Sequence, residues 1–236
     1  MYFIHIPNGG FDAFAEFKNQ YFIIFQHAND ILINLNDIDR YMACVVIPLD
    51  AHVERINYCG HPSHILKCDK IILGDIYDLY DLKTILKFKL DILPNYTAQI
   101  CKKGLVTLLT FIKNAGLPLQ YDSKALNWVS KEGHINVLDW WKNSGLPLKY
   151  SKDALNLASL NGHVAVLDWW KNSGLPLKYS KDALNLASLG GNINVLEWWK
   201  NSGLRLKYSK DLLIWVSHKS LTNVLEWWKK SGLLLK

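Results

Sequence analysis

Two different patterns of apolar and polar positions divide this chain. From residue 92 onward, apolar positions recur at helical spacing in two short bursts every 29 residues, which predicts a pair of short amphipathic helices repeated along the sequence. Tyr121, Tyr150, Tyr179 and Tyr208 stand 29 apart, as do Gly116, Gly145, Gly174, Gly203 and Gly232 and the aromatic pairs from Trp140-Trp141 to Trp227-Trp228. Five units result, at 92–120, 121–149, 150–178, 179–207 and 208–236. The two central ones share 23 of 29 positions.

Within the unit Tyr150–Lys178, Ser151 is a good N-cap and Asp153 favours the positive end of a helix dipole. Ala154, Leu155 and Ala158 then predict a helix of about two turns. Asn161-Gly162-His163 reads as a turn, and a second helix carries Val166, Trp169 and Trp170 before stopping at Gly174. Each helix is shorter than the roughly 12–15 residues at which an isolated helix becomes marginal, so stacking on neighbours must supply its stability.

Before residue 92 the pattern changes to short apolar runs. Residues 2–6, 21–25, 41–47 and 65–73 are aromatic and β-branched runs bounded by Gly, Pro, Asn and Asp, and they predict strands. Residues 11–18 and 30–35 fit short helices, and 81–90 fits a helix joining this part to the first unit. The expected organisation is a small α+β leader at 1–80, a connecting helix at 81–91 and repeats at 92–236.

Charge sharpens the division. Residues 1–91 hold 8 Lys+Arg against 12 Asp+Glu, and residues 92–236 hold 19 against 9, which together account for the net charge of +6. All ten tryptophans lie in the second part. No apolar run approaches the roughly 20 residues needed to cross a bilayer. The N-terminus has no basic residue before its short apolar stretch and no small-residue cleavage site, which argues against a secretory signal. The expectation is therefore an intracellular protein that is neither secreted nor membrane-bound, with its four cysteines reduced.

The wording of the units carries a family resemblance. Ala154-Leu-Asn-Leu-Ala158 resembles the Pro-Leu-His-x-Ala of the ankyrin repeat, and Asn161-Gly-His-Val-Ala-Val-Leu167 resembles its Asn-Gly-His-x-x-Val-Val. The period is 29 instead of about 33, and the shortfall falls where the family builds its hairpin finger. The family's histidine is replaced by Asn127, Asn156 and Asn185, and its paired leucines by tryptophans. The Trp-Trp-Lys-Asn-Ser-Gly-Leu wording is similar to the degenerate ankyrin proteins of giant amoebal viruses, and residues 4–10 and 70–74 are similar to their leaders. The resemblance implies a mainly α fold, an ankyrin-like helical solenoid preceded by a small α+β N-terminal domain. It also implies a viral protein that binds host or viral proteins in the host cytoplasm or viral factory. A leucine-rich repeat competes on period but needs an apolar residue where Lys131 and His218 stand.

Candidate chemistry is sparse. Cys59, His61, His64 and Cys68 are the right inventory for tetrahedral zinc, but one ten-residue loop would have to wrap the ion alone, and a surface loop with Cys68 in a strand is the favoured reading. No phosphate loop, His-Glu-x-x-His or Gly-x-Ser-x-Gly is present, so neither catalytic residues nor a cofactor are expected. Ser144, Ser173, Ser202 and Ser231 precede helix-ending glycines and read as C-cap residues. The tryptophans read as core between units in preference to a stacking platform for single-stranded nucleic acid.

The lysines point to binding. Lys142, Lys171, Lys200 and Lys229 each follow an acid by three residues, the spacing of a solvated ion-pair stripe. Lys124, Lys152, Lys181 and Lys210 lie near the start of the first helix, with Lys149, Lys178 and Lys207 just before it. In an ankyrin-like arrangement that helix lines the concave face, so Lys124, Asn127, Lys152, Asn156, Lys181, Asn185 and Lys210 form the expected partner-binding face. An acidic protein surface is the favoured partner and nucleic acid the alternative, because 18 of the 19 cations here are lysine while phosphate and base recognition favours arginine. The apolar Leu212, Leu213, Ile214, Trp215 and residues 233–235 of the last unit predict either a self-association edge or a chain that folds back over its own end.

Overall fold

The computed structural model describes residues 2–7, 22–33, 39–56, 65–209 and 211–233. The chain forms two compact units, one of residues 1–97 with 107–120 and the other of residues 98–106 with 121–236.

The first unit is built on strands β1 (Tyr2–Pro7), β2 (Phe22–Phe25), β3 (Asp39–Val46), β4 (Val53–Ile56), β5 (Ile65–Cys68) and β6 (Ile72–Asp78), joined in one antiparallel sheet of order β4-β5-β2-β1-β3-β6. Ile4 opposite Ala43 and Ile24 opposite Leu66 belong to a core on one face, completed by Ile6, Val45 and Cys68. Phe3, Phe25, Met42 and Ile65 are buried on the other. Burial on both faces explains why β1 reads as a nearly continuous apolar run. Helix α1 (Ala28–Ile33) lies against β1 and β2, and Phe88 of helix α2 (Leu82–Phe88) meets the Phe3 ring edge to face at 5.5 Å. Asp81 caps α2 by accepting from the Lys83 amide at 3.1 Å. The amide of Asp91 donates to Asn29 Oδ1 at 2.8 Å, fixing the exit from α2 to α1. The buried Tyr96 hydroxyl donates to the Leu79 carbonyl, and burial holds its pKa well above the usual phenol value.

Two differences from the sequence pattern have a physical cause. The run at 65–73 is two strands, because Asp69–Ile71 turns the chain between β5 and β6. Strand β4, Val53-Glu-Arg-Ile56, gives no apolar alternation because it is an exposed edge strand. The helix expected at 11–18 lies outside the described residues.

In the second unit each 29-residue period holds a helix pair. These are α5 (Ser123–Glu132) and α6 (Ile135–Asn143), α7 (Asp153–Leu160) and α8 (Val164–Asn172), α9 (Asp182–Leu189) and α10 (Ile193–Asn201), and α11 (Leu212–His218) and α12 (Thr222–Lys230); helices α3 (Pro94–Lys102) and α4 (Val106–Asn114) precede them. Like packs on like, α5 on α7, α7 on α9 and α9 on α11. Ala154, Leu155, Ala158, Leu167 and Trp170 are fully buried between them. Alanine at positions 125, 154 and 183 leaves only a methyl at the contact and lets neighbouring helices approach closely.

The expected mainly α, ankyrin-like solenoid with a small adjunct is therefore corrected. The described residues comprise twelve helices and a six-stranded antiparallel sheet, an α+β chain with a helical part in which no solenoid is seen. The expectation undercounted the sheet because its edge strands β4 and β6 are polar or exposed and leave little hydrophobic pattern.

Candidate functional site

The residues expected to form a binding face occupy three different environments. Asn127, Asn156 and Asn185 are only 3–5% exposed, and each amide is engaged twice by the following period. Asn156 Nδ2 donates to Ser180 Oγ at 3.0 Å while its Oδ1 accepts from the Ser180 amide at 3.2 Å. Asn127 holds Ser151 at 2.8 and 3.1 Å, and Asn185 holds Ser209 at 2.7 and 3.0 Å, in the same way. Ser180 Oγ also accepts from the Asp182 amide at 3.2 Å and donates to Asp182 Oδ2 at 2.8 Å. The asparagine side chains thus tie one period to the next through a serine that sets the start of the next helix.

The lysines do not form one register. Helix α5 starts at Ser123 with Asp122 as its cap, whereas α7 and α9 start at Asp153 and Asp182 with Lys152 and Lys181 in the cap position. Lys124 consequently stands 29 residues before Asp153, one position out of line with Lys152 and Lys181. All three are exposed. Lys210 lies outside the described residues, as do Cys59, His61 and His64; Cys68 is buried at the end of β5, its thiol donating to the Lys70 carbonyl at 2.9 Å. Among the described residues no three His, Cys, Asp or Glu side chains converge to hold a metal.

Lys149, Lys178 and Lys207 prove to be the more organised series. Lys178 Nζ sits 4.4 Å from the centre of the Tyr150 ring and donates to the Tyr150 carbonyl at 3.2 Å, while the Tyr150 hydroxyl donates to the Pro176 carbonyl at 2.7 Å. Lys149 on Tyr121 and Lys207 on Tyr179 repeat this clasp at 4.7 and 4.5 Å from the ring. Burial raises the pKa of Tyr121 and Tyr150. In these three periods the clasp closes the unit on itself, first residue against last. Its sequence signal was present, a tyrosine followed 28 residues later by a lysine, but a contact that closes a period is invisible to helical periodicity.

The acids preceding Lys142, Lys171 and Lys200 do not make the expected ion-pair stripe. Asp139 Oδ1 accepts from Trp169 Nε1 at 2.7 Å, Asp168 Oδ1 from Trp198 Nε1 at 2.6 Å and Glu197 Oε1 from Trp227 Nε1. The carboxylate prefers the fixed indole donor of the next period to a mobile ammonium on its own helix. In the last period Glu226 pairs at 3.7 Å with Lys230, four residues on, instead of with the expected Lys229. The second tryptophan of each pair is core: Trp170 Nε1 donates to Ser130 Oγ and Trp199 Nε1 to Ser159 Oγ, both at 2.9 Å, and Trp141 Nε1 to Cys101 Sγ at 3.3 Å. Ser144, Ser173 and Ser202 are C-cap residues, each donating to a tryptophan carbonyl at 2.7 Å and accepting from an amide two residues on at 3.1 Å.

Lys149, Lys152, Lys178, Lys181 and Lys207 are all exposed, and none of them takes part in an ion pair among the described residues. Among the described residues no helix is long and apolar enough to cross a membrane. Comparison of the chain with protein-family models and with curated proteins finds no match to either.

Proposed function

We propose that this chain is a non-enzymatic interaction module that takes an acidic protein surface on the basic face of its repeated helix pairs. The observation that carries this reading is the recurrence of exposed lysines, Lys149 with Lys152 and Lys178 with Lys181, at matching places in periods whose first helices α7 and α9 pack side by side. The burial of the three asparagines favours the lysines over them as the contacting groups. Lysine ammonium groups at regular intervals suit carboxylates, which they attract without demanding the planar geometry of a guanidinium. The ankyrin-like wording of the periods supports a protein partner, and with it an intracellular role in a giant-virus infection, in host cytoplasm or viral factory.

The test is purification of the tagged chain from infected host lysate with and without nuclease, followed by affinity measurement on any stoichiometric protein retained. Lys152→Glu with Lys181→Glu is the informative variant, because it reverses charge without touching the lysine–tyrosine clasps. A protein retained after nuclease whose affinity falls about tenfold or more in the variant supports the face. Retention only in the presence of nucleic acid, with affinity falling steeply as salt rises, transfers the face to phosphate recognition and overturns the proposal.

A further inference from the structure

Inner periods offer the following one recurring docking groups, which change toward the last period; Gly191, at the place of Gly162, already has nothing within 4 Å of where a Cβ would stand. Asn127, Asn156 and Asn185 grip the serine of the next period, but the residue at this place in α11 is Ile214. Gly104, Gly133 and Gly162 receive the side chain of His134, His163 or Asn192 so closely that a Cβ would meet it at 2.9–3.0 Å. At that place the last period has Ser220, which carries a Cβ at φ 55°. At the place of Leu157 and Leu186, half-buried in their periods, the last period has Trp215, as α5 has the half-buried Trp128. Ile214 is 56% and Trp215 43% exposed.

These changes define what can cover α11. A helix pair that brings a serine as the inner periods do is unsuited: Ile214 has no acceptor for the serine amide and no donor for its hydroxyl. The face calls for an apolar helix that brings no serine to be satisfied. We propose that its occupant is α11 of a second copy of this chain, paired about a two-fold axis so that Ile214 and Trp215 of each copy cover those of the other. Such an isologous contact is self-complementary by construction. Charge fits the same geometry. Asp211 precedes α11 and Lys219 follows it, both exposed, and a two-fold antiparallel pairing sets Asp211 of one copy beside Lys219 of the other. Ser217 and His218, also exposed, supply a polar rim.

The experiment is analytical ultracentrifugation of the full chain across the micromolar range. A reversible monomer–dimer equilibrium is expected, weakened about tenfold or more by Ile214→Asn with Trp215→Gln. Ile214→Asn restores the residue type of the inner periods, so folding is retained, and far-ultraviolet circular dichroism confirms it. Asp211→Lys should weaken the dimer, and Asp211→Lys with Lys219→Asp should restore it, a rescue that only the antiparallel two-fold pairing gives. A chain that stays monomeric, a dimer indifferent to the Ile214/Trp215 variant, absence of rescue by the charge swap, or open-ended assembly into larger species would each overturn the proposal.

Discussion

Replacing Asn156 by alanine is the sharpest probe of how the periods hold together. Asn156 is 3% exposed and makes two hydrogen bonds to Ser180, of 3.0 and 3.2 Å. Each such bond contributes about 1 kcal/mol net, and the half-buried Ser180 amide left without its acceptor adds a desolvation penalty of about 1 kcal/mol or more. Alanine returns about 0.6 kcal/mol of helix propensity. The expected loss is therefore about 2–3 kcal/mol. Urea unfolding followed by tryptophan fluorescence reads it as a lowered midpoint, with far-ultraviolet circular dichroism as a second probe to show whether the periods unfold together. Asn172→Ala, at an exposed helix end, serves as control and should cost less than about 0.5 kcal/mol. Crossing Asn156→Ala with Ser180→Ala isolates the amide–hydroxyl bond, with an expected coupling of about 1 kcal/mol. A loss for Asn156→Ala no larger than that of the control would refute the reasoning, because the amide would then be exchanging its partners freely with water.

Other perturbations separate the remaining interactions. Trp170→Phe removes the buried donor to Ser130 Oγ and should cost about 1–3 kcal/mol, whereas Trp169→Phe, which loses a bond to the exposed Asp139, should cost under about 1 kcal/mol; equal effects in urea unfolding would contradict this division. Gly133→Ala brings a methyl to 2.9 Å from the His163 ring at φ 80°, while Gly174→Ala at φ 78° meets open space. Both bear the left-handed backbone cost of about 1 kcal/mol, and only Gly133→Ala should lower the thermal midpoint further. Burial pushes the Cys101 thiol up to about 12 from an ordinary value of 9.0. A raised folded pKa means that the folded state holds its proton more tightly, so this contribution is fully present below pH 9 and is lost as pH rises toward 12. At pH 8 the folded chain should resist alkylation at Cys101 until denaturant is added, and rapid labelling by peptide mass spectrometry under native conditions would count against its burial.

The parts of this protein legible in its sequence are those governed by contacts a few residues apart. The 29-residue period, the two helices in each unit, the stop at Gly174 and the serine C-caps all follow from helical spacing and the local chemistry of helix ends. Burial of Trp141, Trp170 and Trp199 was legible too, because a large apolar residue on the periodic face has nowhere else to go. Partner choice was not. Whether Asp168 meets Lys171 on its own helix or Trp198 thirty residues on, and whether Asn156 faces solvent or Ser180, depends on which neighbour is held at hydrogen-bond distance when the periods pack. Tertiary packing decided that the asparagines tie one period to the next, that Lys149, Lys178 and Lys207 rest on tyrosine rings, and that Lys124 is out of step with Lys152. It also joined β4 and β6 to the sheet, since edge strands depend on backbone hydrogen bonds to a neighbour and need no hydrophobic alternation of their own. Local periodicity specifies elements; long-range hydrogen bonding and exclusion of water specify what each polar side chain is for.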